Sequence, residues 1–194
     1  MTRALCGVTS IAVHMKDPAH ERNEVLCRLD LASTHLETMI VPSLIKTGGV
    51  SLGYAVRGAR DNDGIAAVPG GIVLHEGKVT AGRPCAFGAD EACARIVLTT
   101  MKFDPHIRSA ATIPFSENVL AVFRAMLMEC ASVDSRHTSP QISTMDWGIA
   151  ACCNDGVPDI IYDRGGDKKP GFIHIFGEEP LVVANNIIIC SNRI

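Results

Sequence analysis

Apolar residues fall along this chain in two rhythms, and turn residues mark where one gives way to the other. Val25, Leu29, Ala32, Leu36 and Ile40 step by four, three, four and four, which is one face of a helix. Asp17-Pro18 supplies its start, an acidic cap with proline in the first turn. Pro42 and then Gly48-Gly49 stop it. Upstream, residues 4–14 are β-branched and predict a strand. Downstream, 50–56 predicts a strand and Asp61-Asn62-Asp63-Gly64 a turn. Extended segments follow at 65–68 and 71–81, the second folded over at Glu76-Gly77. Gly88-Ala89-Asp90 then opens a helix to Met101.

The second half repeats this succession. Residues 106–113 predict a strand, and Ser116 caps a helix with Val119, Leu120, Phe123, Leu127 and Cys130 on its apolar face. Residues 142–152 predict a strand ahead of the turn Asn154-Asp155-Gly156, and strands at 157–162 and 172–176 follow. Gly177-Glu178-Glu179-Pro180 has the charge and the proline of a helix start, although the β-branched run from Leu181 to Cys190 leaves helix and strand both open. Three anchors recur in order at slowly shrinking spacing: Val25-Leu26 with Val119-Leu120, Asn62-Asp63-Gly64 with Asn154-Asp155-Gly156, and Phe87-Gly88 with Phe176-Gly177. The pattern therefore predicts an α+β protein built as a tandem repeat of a strand-helix-three-strand-helix unit. Residues 1–103 and 104–194 are the two copies, meeting near Phe103-Asp104-Pro105-His106 and sharing one core. Its sheets are expected to be mostly antiparallel, with helices on one face. This plan resembles tandem-repeat proteins that assemble into rings, a likeness of architecture that carries no function. With its excess of apolar residues, it predicts a closed homo-oligomer such as a trimer.

Composition narrows the classes. The 194 residues are 47% hydrophobic and 20% charged, which excludes a disordered chain, and aromatics at 5% make the core aliphatic. A net charge of −3 with scattered basic residues gives no basic face for nucleic acid. No apolar run approaches the roughly 20 residues of a membrane span, and the first residues do not read as an export signal. The eight cysteines are then expected to be free thiols of a cytoplasmic protein, because no C-x-x-C pair occurs. Glycine-rich nucleotide fingerprints and H-E-x-x-H are also missing, so neither a cofactor nor a metal is expected. Asp104, His106 and His137 are the nearest thing to a ligand set.

The chemistry-bearing positions are few. Cys85 and His174 each stand two residues before the phenylalanine of a Phe-Gly pair. Related by a pseudo-two-fold axis they would meet as thiol and imidazole. Asp146 adjoins Trp147, the single tryptophan, and completes the catalytic candidates. Arg57 and Arg60 flank a Gly-Ala pair before the first Asn-Asp-Gly turn, Arg83 precedes Gly88, and Lys168 lies in the polar glycine-rich loop 163–171. These four are the candidate binders of a small anion. The expectation is a cofactor-independent hydrolase, isomerase or lyase acting on a small polar or anionic metabolite, in a cleft between repeats or subunits. The alternative is a non-catalytic ligand-binding or shell-type assembly protein.

Overall fold

The computed structural model describes residues 17–45, 48–133, 144–166 and 169–194, with the side chains of 144–146 left aside. Expectations for the strand at 4–14, for His137 and for Lys168 lie outside the described residues. Helix α1 (Pro18–Met39) forms where the apolar steps place it, burying Val25, Leu29, Ala32, Ser33 and Leu36. Asp17 caps it, accepting the Ala19 N–H at 3.0 Å, with Pro18 in the first turn.

Strands β1 (Ser51–Ala55) and β2 (Ile65–Ala67) are separated by a short 3-10 turn over Asn62–Gly64. The hairpin β3 (Ile72–His75) and β4 (Lys78–Ala81) turns at Glu76-Gly77 as expected. Strand β5 (Ala86–Phe87) leads into α2 (Glu91–Met101), whose cap Asp90 accepts the Cys93 N–H at 2.9 Å. The second half runs β6 (Ser109–Pro114), α3 (Glu117–Ala125), β7 (Cys130–Ser132), α4 (Thr144–Cys152), β8 (Ile160–Asp163), β9 (Phe172–Gly177) and α5 (Pro180–Ser191). Among the described residues seven strands make one sheet in the order β5-β2-β1-β6-β9-β8-β7, and β3-β4 stands apart. Its pairs are antiparallel except β7 with β8. The α+β composition thus stands.

The helices do not lie on one face. Leu52, Tyr54, Ala66, Ala111, Ile113, Ile160, Tyr162, Ile173 and Ile175 join the core under α1, α3 and α5. Their strand neighbours Ala55, Ile65, Ala110, Ile161 and Phe176 join a second core under α2 and α4. Successive side chains on a strand point to opposite faces, so a sheet with both sets buried must be covered twice. The apolar run Ile160-Ile161-Tyr162 and the pair Ile175-Phe176 carry that signal, because a half-exposed strand would alternate.

Of the expected strand over 142–152, the described part, 144–152, is instead helix α4. Ile149 and Cys153 are four apart and both buried against the second core, a helical step that decides the segment once α2 offers it a surface. Other features also depart from a duplicated unit. The first Asn-Asp-Gly runs straight into β2, whereas the second follows α4. Among the described residues β5 is at the edge of the sheet, whereas β9 lies between β6 and β8. Helix α3 ends at Ala125; Leu127 has φ +62° and is exposed, and Cys130 belongs to β7. The segment left open between helix and strand is α5, capped at Glu179.

Small residues set how near α2 comes to the sheet. A Cβ built on Gly53 would lie 2.6 Å from the Cys93 Sγ and 3.3 Å from the Ala66 carbonyl oxygen. Gly53→Ala is therefore expected to push α2 outward and lower stability by about 1–3 kcal/mol, read as a lowered urea midpoint with an unchanged slope.

Candidate functional site

One end of the sheet gathers most of the charge. There β1, β5 and β9 finish, β2 and β6 begin, and α2 and α5 start. The first turns of α1 reach the same place, since the Arg57 N–H donates to the Glu21 carboxylate at 2.9 Å and Arg22 donates to the Asp63 carbonyl at 2.9 Å. Arg22 also lies 3.6 Å from the centre of the Phe87 ring.

Arg108, just before β6, sits at the centre and is 8% exposed. Its guanidinium donates to the Tyr54 hydroxyl and, at 3.2 Å, to the Ala55 carbonyl. It also stands 3.7 Å from both Glu21 and Glu179. Tyr54 in turn donates to Glu179 at 3.1 Å, and burial raises its phenol above the usual range, an effect that Arg108 opposes. Arg28 closes the group from outside, donating to Glu179 at 2.6 Å and to Glu24. A buried guanidinium is tolerable only with its donors used and its charge matched, and here two carboxylates, a hydroxyl and a carbonyl do so.

The loop from Arg57 to Gly64 arches over this network. Asp61 accepts the Gly64 N–H at 3.2 Å and fixes the turn, while Gly58 takes φ +67°. Arg57 and Arg60 are exposed. Arg57 stands 3.6 Å from Glu21, and on the α2 side a cavity of about 330 Å³ opens between Arg60 and Lys102. This end can therefore hold anions, with Arg57 fixed by Glu21 behind it and Arg60 at the rim of the cavity.

The other candidates disperse. Cys85 lies under α1, its N–H donating to Asp30 at 3.4 Å and its sulfur 4.0 Å from Ser33. Burial, helped by Asp30, pushes the thiol up to about 12, so it is not an activated nucleophile. His174 belongs to the opposite face, its Nδ1 2.8 Å from the Thr112 hydroxyl and its ring 4.2 Å from that of Phe172. The expected thiol–imidazole pair does not form, because the sheet lies between them. Asp146 lies on α4 rather than a strand. Arg83 donates to Glu37 at 2.7 Å and to Thr34, far down α1 from the Glu21 that meets Arg57. Among the described residues no three of His, Cys, Asp and Glu converge as metal ligands, and no helix is long and apolar enough to cross a membrane. Of the expected binders, Arg57 and Arg60 share the loop at this end, Arg57 toward Glu21 on α1 and Arg60 at the cavity on the α2 side. Arg108, Tyr54, Glu21 and Glu179 were missed, since each reads in sequence as an ordinary strand-edge or helix-cap residue.

Residues 28–189 match the family described as thiamine-phosphate synthase ThiN. A bifunctional thiamine biosynthesis protein ThiDN from Methanocaldococcus jannaschii is 31% identical over 148 residues, covering 75% of this chain and 35% of that protein. A thiamine-phosphate synthase ThiN from Methanothermobacter thermautotrophicus is 28% identical over 127 residues, covering 62% of this chain and 67% of that protein. The chain thus spans about a third of the first relative and two thirds of the second. The crystal structure of the C-terminal domain of a phosphomethylpyrimidine kinase superposes with a TM-score of 0.79 at 28% identity, covering 88% of this chain and 100% of that one.

Arg108→Met is expected to cost about 3 kcal/mol, the low end for a broken buried ion pair, because Glu179 keeps Arg28 and Glu21 keeps Arg57. Arg28→Met, at the exposed rim, is expected to cost under about 1 kcal/mol in the same urea titration. His174 generates a pH dependence. Burial lowers its pKa from 6.5 to about 3, a direction that Asp163 opposes, so the folded protein keeps it neutral while the unfolded chain takes up a proton. Its contribution is whole above pH 6.5 and is lost as pH falls toward 3. The urea midpoint of the parent protein should drop across that window, and that of His174→Gln should drop less.

Proposed function

This chain belongs to the thiamine-phosphate synthase ThiN family, and from that premise we propose that it forms thiamine phosphate at the arginine-bearing end of the sheet. The product dictates the chemistry. Thiamine phosphate joins a pyrimidinylmethyl carbon to the nitrogen of a thiazole ring that carries a phosphomonoester. Forming that bond takes the azole nitrogen lone pair to the methylene carbon, while a leaving group departs with the old bonding pair. A diphosphate is such a leaving group and needs no redox partner. The balanced reaction is a pyrimidinylmethyl diphosphate plus a hydroxyethylthiazole phosphate giving thiamine phosphate and diphosphate. Both reactants are small anions, as the sequence led us to expect, but the step is bond formation by transfer to nitrogen; the family gives no support to hydrolysis.

The family match across residues 28–189 carries this reading, and the charge at the sheet end supports it. Arg57 and Arg60 project from one loop, and Gly58 beside them has φ +67°, which leaves its backbone open. Cations fixed before the substrate arrives lower the barrier by meeting charge that grows on the departing diphosphate. Glu21 holds Arg57 in place, and with Glu179 it holds Arg108 behind it, so less ordering cost falls on binding.

The test is direct. Purified protein, given the two phosphorylated heterocycles, should yield thiamine phosphate, followed by oxidation to its fluorescent thiochrome, with one diphosphate released per product. No product from folded protein at saturating substrates would overturn the reading. Arg57→Gln should lower kcat/KM by roughly 10–100-fold, the loss of one charged hydrogen bond of about 1.5–3 kcal/mol. Arg83→Gln, at the far part of α1, should leave it near the parent value.

A further inference from the structure

We propose that the groove between the 57–60 loop, the C-terminal half of α2 and α4 is the seat of an aromatic phosphomonoester, with the phosphate between Arg60 and Lys102 and the ring against Trp147. Two adjoining cavities make the groove. The first, about 330 Å³, is lined by Gly58, Arg60, Lys102 and an apolar floor that includes Leu98 and Met101. The second, about 300 Å³, is lined by Thr99, Lys102, Phe103, Trp147 and Ala150. Lys102 borders both, so a cation stands where the two meet.

Charge argues for a phosphomonoester. Such a group carries about −1.5 to −2 at neutral pH, which two cations balance. Neither Arg60 nor Lys102 has a carboxylate partner among the described residues. The nearest acids in sequence are otherwise engaged, since Asp61 accepts the Gly64 N–H and Asp104 accepts the His106 N–H. Four other arginines are matched by acids, Arg28 by Glu179, Arg57 and Arg108 by Glu21, and Arg83 by Glu37. Arg60 and Lys102 therefore leave two cations without an acid on the rim of one cavity.

The second cavity argues for a ring. Trp147 is 64% exposed and Phe103 43% exposed, in a chain with six Phe, two Tyr and one Trp. Burying an indole face gains apolar contact and stacking, and leaving it in water forgoes both. Ile149 on the same helix and Cys153 just past its end turn into the core, so Trp147 points outward by position and not by local disorder of the packing. A phosphate cavity and a ring cavity joined at Lys102 fit a molecule whose phosphate is a short chain away from its heterocycle. The phosphorylated thiazole of the proposed reaction has that form, and this assignment of it rests on that reading.

Trp147 is the sole tryptophan, so its emission reports on the groove alone. Hydroxyethylthiazole phosphate should change that emission saturably in the parent protein. The unphosphorylated alcohol, and the phosphate ester with Lys102→Gln or Arg60→Gln, should bind at least about tenfold more weakly, one lost charged contact each. Inorganic phosphate should compete without itself changing the emission greatly. Calorimetry on Trp147→Phe checks that binding persists when the reporter is gone. The proposal fails if the azole phosphate binds by calorimetry while Trp147 emission stays constant, or if both charge variants bind it as the parent does. It fails equally if emission depends on protein concentration together with a change of mass in light scattering, for then a second copy covers the groove. The two readings separate cleanly. Thiamine phosphate made with an unchanged azole KM in Lys102→Gln removes the groove and keeps the synthase. Saturable binding in the groove without any product removes the synthase and keeps the groove.

Discussion

Burial of the sheet on both faces governs where chemistry can occur in this protein. Leu52, Ile113, Ile160, Ile173 and Ile175 are closed off by α1, α3 and α5, while Ile65, Ala110, Ile161 and Phe176 are closed off by α2 and α4. Among the described residues both faces of the central strands are largely covered, which leaves little room there for polar groups. Charged side chains are left with the strand ends and the outer surfaces of the helices. Arg108 obeys this constraint. It enters the protein at the start of β6, where two carboxylates, a tyrosine and a strand carbonyl satisfy it, and one residue further on Ser109 is already buried in the sheet. The exposed arginines 57 and 60 hang from the connection that leaves this same end.

Close packing on both sides demands small residues at the crossing points. Gly53 pairs with Ala110 on one side and Ala67 on the other, and α2 brings Cys93 against them. A sheet this tight treats polar intruders severely. His174 is fully buried, keeps one hydrogen bond to Thr112 and is held neutral. Its Nε2 and the Asp163 Oδ2 have no hydrogen-bond partner among the described residues. Histidine in this position reports on the dielectric of the second core and plays no part in the thiol chemistry its sequence position invited.

Local signals were legible wherever a short-range rule decided the outcome. The cap and proline at Asp17-Pro18, the hairpin at Glu76-Gly77 and the cap at Asp90 all act within a few residues, and each stands where the sequence placed it. That Arg57 and Arg60 share one glycine-containing connection was legible as well. The family-level chemistry was not legible, because it lies in no compact motif.

Longer-range questions depended on partners far along the chain. Residues 142–152 hold apolar and small side chains that suit a strand or a helix, and α2 decides the matter by accepting Ile149 and Cys153. Phe87-Gly88 and Phe176-Gly177 look alike as text, but among the described residues β5 pairs with β2 alone while β9 pairs with β6 and β8. Cys85 and His174 occupy matching places in the two halves and end on opposite faces. The sequence by itself determined the local elements, their caps and turns, the aliphatic character of the core and the pairing of two cations on one connection. Tertiary structure alone decided which face each strand residue joins, and so which charges meet, because that depends on register and helix docking across the whole sheet.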